Sequence, residues 1–224
     1  FYSSGARVIE KGSEDYAFSV YSERSVSMFE KYFKLLNADY TVLDATSDNS
    51  FDCTSTTLFR EGRSLFTNGY FKHATSNLRE VEFDYGIIPY PKWDEQQKEY
   101  HTMADGSHAV MAVPKTLVGD AQNIAGTIIE VLNAESWKYV VPAYYDTALK
   151  FKGTRDAESI AMLDMIVDSR VFDMGYIYSG GIGPGFMLQK LFTEDNTNSE
   201  SYLAANASAF ETHYEKVFAS FENE

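Results

Sequence analysis

Apolar residues in this chain recur in two rhythms, and their alternation is what most restricts the fold. The first has the period of a helix. Val26, Phe29, Phe33 and Leu36 fall at spacings of three and four within Ser22–Asn37, with Ser22 or Ser25 placed to cap the start and Asn37 to end it. The same period predicts a helix opened by Asp120 with Ile124, Ile128, Val131 and Leu132 inward, and one opened by Asp156 with Ile160, Leu163, Ile166 and Val167 inward. It also predicts a long last helix over Ser199–Phe221, with Leu203, Phe210, Tyr214, Val217 and Phe221 on one stripe. Shorter helices are expected at Asp52–Glu61, stopped by Gly62, and at His73–Val81. The second rhythm is the short apolar run. Ser64–Thr67 reads as a strand ending in the turn Asn68-Gly69, Tyr85–Ile88 as a buried strand stopped by Pro89, and Ala109–Val113 as an apolar run closed by Pro114. Few short strands separated by helices make an α/β pattern. Trp137–Lys150 continues as helix, and Pro142 is expected to break or bend it.

Composition narrows the function. Of 224 residues, 44% are hydrophobic and 15% aromatic, enough side chain to offset chain entropy by burial and exclude disorder. The net charge of −14, with no Lys/Arg stripe interrupting the acid, argues against nucleic acid as a partner. Cys53 stands alone, so no disulfide framework exists. No apolar window is long enough to span a bilayer.

Catalytic patterns were sought and fail. The four histidines, His73, His101, His108 and His213, show no zinc-helix spacing. Asp48–Asp52 lacks the glycine and terminal glutamate of a calcium loop. Gly62–Phe66 has phenylalanine at the second glycine of a nucleophile elbow. The turn Gly181–Gly185 carries a proline and no phosphate-loop lysine, so it reads as a helix entry. No metal or cofactor is expected. Paired carboxylates for a secreted glycan-active hydrolase stay open as the alternative, because 33 acids offer many pairs and none stands out.

One stretch changes the reading. Phe59-Arg60-Glu61-Gly62-Arg63-Ser64-Leu65-Phe66-Thr67-Asn68-Gly69-Tyr70-Phe71 resembles the helix, glycine, strand and aromatic turn of extracellular solute-binding proteins of ABC sugar importers. Leu78-Arg79, then Asp84 through Lys92 (DYGIIPYPK), is similar to a signature of the same family. Pro142–Asp146, Leu149-Lys150, Arg155-Asp156, Met162–Asp164 and Arg170–Tyr176 follow in the order of one bacterial lipoprotein subgroup. Each piece is short, but the ordered set covers most of the chain.

The resemblance implies a periplasmic-binding-protein-like fold of type II: two α/β lobes with a ligand cleft between them. It implies that this chain is mostly the second lobe, residues 1–108 and 152–224, with 109–151 returning into a first lobe most of which lies before Phe1. Gly106 and Gly153 then suit hinge crossings, since glycine absorbs large changes of φ and ψ. The implied ligand is a sugar or oligosaccharide, and the implied partner is the membrane permease of the transporter. The implied location is a bacterial exterior or periplasm, with membrane attachment only through a lipid anchor on the missing N-terminus. An aromatic ring covers the C–H face of a sugar while polar groups bond its hydroxyl rim. On that basis the ligand-binding residues are expected to be Asn68, Tyr70, Phe71, Ser107, His108, Tyr176 and Tyr178, with no catalytic residue among them. Phe59 and Phe66 are expected in the core. An exposed apolar patch confined to Ala109–Val140 is the expected mark of an absent lobe.

Overall fold

The computed structural model describes residues 1–12, 16–41, 54–104, 110–146, 157–179, 186–194 and 196–222. Its contacts divide the chain into two compact units: residues 1–47, 89–106 and 164–224, and residues 48–88 and 107–163. This partition is not the one the resemblance implies, because 48–88 groups with 107–163 rather than with the first residues of the chain.

The core of the first unit is made by helices packed on a hairpin. Strand β1 (Ile9–Lys11) pairs antiparallel with β2 (Tyr16–Phe18), Ile9 opposite Phe18. Helix α1 (Glu23–Leu36) starts where Ser22 Oγ accepts from the Ser25 amide at 3.3 Å and ends at Asn37, whose amide side chain donates to Phe33 O. Its buried residues are Ser25, Met28, Phe29 and Phe33, and it packs against the last helix. That contact joins Val8, Val20, Phe29 and Phe33 to Met187, Leu191, Leu203 and Tyr214 in one cluster. Each fully buried Val, Leu or Phe there contributes about 1.5–3 kcal/mol by leaving water.

A second, two-residue sheet in this unit comes from distant sequence. Strand β3 (Thr102–Met103) runs parallel to β4 (Arg170–Val171), and the Thr102 amide donates to Ser169 O at 2.9 Å. Neither this pair nor the hairpin carries a sequence signal strong enough to have been expected. After β4, the buried Asp173 caps a short helix, accepting from the Tyr176 amide with one carboxylate oxygen and from the Val8 amide with the other at 2.8 Å. Burial raises the Asp173 carboxyl above its usual range, opposed by those backbone hydrogen bonds and by Arg7.

In the second unit, helix α2 (Thr54–Arg60) ends in a Schellman turn. Gly62 adopts φ +69° and donates to Phe59 O, while the Arg63 amide donates to Leu58 O. Phe59 is buried with Leu78 and Val81 and packed by Phe83 and Tyr85. Helix α3 covers only Phe71–Thr75. The expected helix over His73–Val81 gives way to turns, because Ser76 Oγ folds back onto Lys72 O at 2.7 Å and competes with helix propagation. The expected strands at Ser64–Thr67 and Tyr85–Ile88 do not form among the described residues. Ser64 Oγ donates to Phe66 O at 2.6 Å, which turns the first segment on itself. The second retains alternation: Phe83, Tyr85 and Ile87 are half-buried, while Glu82, Asp84, Gly86 and Ile88 are exposed. Its Ile87 amide bonds to the buried Ser159 Oγ at 3.1 Å rather than to a neighbouring strand.

Helix α4 (Asp120–Glu135) starts after Gly119 and runs without interruption into a π-helical turn, Ser136–Val140. Helical turns continue through Pro142 to Asp146, so the expected break does not occur. The proline nitrogen cannot donate, and a wider turn just upstream accommodates the missing bond. Ile124, Ile128, Val131 and Leu132, expected inward, are all exposed, and no residue of α4 is buried. Helix α5 (Ala157–Asp168) buries Ser159, Leu163 and Ile166 and carries the chain from the second unit into the first. After it come α6 (Met174–Ile177), α7 (Met187–Thr193) and α8 (Ser199–Glu222). On α8, Leu203, Phe210 and Tyr214 are buried and Val217 half-buried, but Phe221, expected on the stripe, is exposed. Asp52, Asp156, Gly153 and the turn at Gly181–Gly185 lie outside the described residues.

Candidate functional site

The segment from Gly62 to Phe71 presents side chains that a core would claim. With no strand partner among the described residues, it leaves Leu65 82% and Phe66 69% exposed. Phe66 is thus corrected from a core residue to a surface one, whereas Phe59 is buried as expected. Asn68 and Gly69, where a turn was expected, are exposed and form none.

Tyr70 occupies the residue before α3 in an extended conformation, φ −91° and ψ 158°. Its ring is 55% exposed, with the His73 ring edge-on at 5.5 Å and the Lys72 ammonium 5.9 Å from its centroid. Burial, and then the Lys72 charge, lower the His73 pKa, which favours the neutral ring beside Tyr70. Gly69 is held against His73: a Cβ at 69 would approach His73 Cε1 to 3.3 Å. Tyr70 is thereby exposed beside a histidine ring and a lysine ammonium.

Phe71 is placed differently. It is half-buried against Ala74 and Leu163, with the Tyr145 ring edge-on at 6.5 Å and the Tyr145 hydroxyl bonded to Leu163 O at 2.7 Å. Of the two neighbouring aromatics, Tyr70 faces solvent and Phe71 anchors the helix that carries it. Ser107 and His108 lie outside the described residues.

Tyr176 and Tyr178 belong to the other unit. Tyr176 is half-buried between the rings of Tyr2 at 6.2 Å and Phe186 at 5.8 Å, and its amide caps onto Asp173. Tyr178 is partly exposed, with the Phe221 ring edge-on at 5.6 Å and its carbonyl 2.7 Å from His213 Nε2. The expected set is therefore a presented tyrosine and an exposed Asn68 in one unit and two packed tyrosines in the other.

Two surface cavities lie in the first unit, away from these rings. One, about 410 Å³, is lined by Ser4, Gly5, Arg24, Asp94, Gln96 and Gln97. The other, about 280 Å³, has Glu30 and Glu200 in its lining with Val26 and Thr197–Ser199. Among the described residues, no group of three or more His, Cys, Asp or Glu side chains could hold a metal ion, and no helix is long and apolar enough to cross a membrane.

The most extensive exposed apolar surface is elsewhere, and the helical period alone mis-assigned it. Val110 and Met111 are exposed, as are Ile124, Ile128, Val131 and Leu132 on α4. Trp137 is 75% exposed, with Tyr139, Val140 and Val141 beyond it. Ala125 and Ile129, at one margin of this stripe, are half-buried. An amphipathic helix with its apolar stripe bare has a face suited to being covered. Set against known protein families, curated proteins and solved structures, the chain matches none.

Proposed function

We propose that the protein binds a carbohydrate outside a bacterial cell for uptake by an ABC transporter, as a two-lobed clamp that does not transform its ligand. The exposed Tyr70, held at the start of α3, is the observation that carries the reading. A flat aromatic face covers the C–H groups of a pyranose while an amide bonds its hydroxyls. The ligand favours the closed state because it touches both lobes only there. The ordered resemblance along the chain supports the family. On this reading the permease is the macromolecular partner.

The test is calorimetry against a panel of mono- and oligosaccharides, amino acids and metal ions, on protein that includes the first lobe. A sugar is expected to bind, and Tyr70→Ala to weaken it about tenfold, the equivalent of about 1.4 kcal/mol. Binding of an amino acid or metal ion with no sugar bound overturns the assignment. Unchanged sugar affinity in Tyr70→Ala removes Tyr70 from the site.

A further inference from the structure

The first residues of the chain are held to the β3–β4 sheet through one titratable contact. Arg7 Nη2 lies 2.7 Å from His101 Nδ1. A guanidinium only donates, so Nδ1 must carry a lone pair and the ring must be neutral, with its hydrogen on Nε2. Both partners are fixed from behind. The other Arg7 terminal nitrogen donates to Ala6 O at 2.8 Å and Tyr2 O at 3.3 Å, and Arg7 O accepts from Ser19 Oγ at 2.9 Å. His101 immediately precedes Thr102, whose amide and hydroxyl both bond Ser169.

We propose that the Arg7–His101 pair is a proton-operated latch: the neutral imidazole holds the N-terminal turn onto β3, and protonation at Nδ1 releases it. Protonation removes the acceptor and sets an imidazolium against a guanidinium. The groups that act on His101 are consistent with this. Burial and then the Arg7 charge lower its pKa, while Glu99 acts in the opposite direction. The sign follows from linkage. A histidine lowered in the folded state contributes stability above its unfolded value of about 6.5, and that contribution is lost as pH falls through the lower folded value. The adjoining Val8 amide is held by a different group, the Asp173 carboxylate, on which the Arg7 charge also acts.

The experiment is NMR on the full chain, following the His101 ring and the exchange protection of the Ala6–Ile9 amides at pH 7.5 and pH 5.5, corrected for intrinsic rates. The His101 midpoint is expected below 6.5, and protection is expected to drop about tenfold at the lower pH, the scale of a hydrogen bond to a charged donor. His101→Asn keeps an acceptor that does not titrate, so it should retain protection at both values. His101→Phe should lack it at both. A wild-type midpoint at or above 6.5 overturns the proposal without any variant. Equal losses in wild type and His101→Asn also overturn it and assign the release to another group.

Discussion

Replacing Gly175 by alanine sets two effects of opposite sign against each other. Gly175 is inside α6, and by helix propensity alone the change favours folding by about 1 kcal/mol. The packing opposes it. A Cβ at 175 would come 2.5 Å from Val8 Cβ and 2.9 Å from Asp173 Oδ1, closer than such atoms approach in real structures. Val8 cannot retreat: its side chain is 1% exposed, its amide is bonded to Asp173, and its carbonyl accepts from Ser19 and Val20. The Gly175 carbonyl is also fixed, by the Tyr214 hydroxyl. Forcing a methyl into such a site costs about 1–3 kcal/mol, so Gly175→Ala should be destabilising despite its propensity. At this chain length each kcal/mol lowers the midpoint by about 2–4 °C. Gly126→Ala is the control. It makes the same change mid-helix in α4 with nothing within 4 Å of the new methyl, and should stabilise by about 1 kcal/mol. Urea denaturation of both variants, with unchanged slope, reads the difference. In a Val8→Ala background the Gly175→Ala penalty should shrink but persist, because the Cβ at position 8 and Asp173 Oδ1 still crowd the new methyl. A Gly175→Ala protein stabilised as much as Gly126→Ala would refute the packing argument.

Two further outcomes are expected. Ser159→Ala leaves the Ile87 amide without the acceptor it has at 3.1 Å, and should cost about 1–3 kcal/mol by chemical denaturation; a loss under about 0.5 kcal/mol would mean water replaces the hydroxyl. Trp137→Asp on the bare surface should change stability by no more than about 0.5 kcal/mol while reducing concentration-dependent association in sedimentation, whereas a cooperative loss of stability would show the indole to be packed.

Local chemistry was legible where it acts within a few residues. The Ser22 cap, the stop at Gly62 and the buried faces of α1 and α5 all follow from spacing, because a helix closes its own hydrogen bonds and its period writes the inward face into the sequence. The turn expected at Asn68-Gly69 does not form, and Tyr70 is presented from extended chain before α3. Strands were not legible, since a strand needs a partner. β3 and β4 find each other across 68 residues, while Ser64–Thr67, with a plausible strand composition, finds none among the described residues.

What the sequence by itself determined is which segments become helices and where most of them stop. Only the tertiary structure decided which apolar side chains are covered. Phe59 is buried and Phe66 bare seven residues later; Leu163 is buried on one amphipathic helix, and Ile128 bare on another. The physical reason is that periodicity gives the direction in which an apolar face points, whereas burial depends on whether another surface is there to meet it.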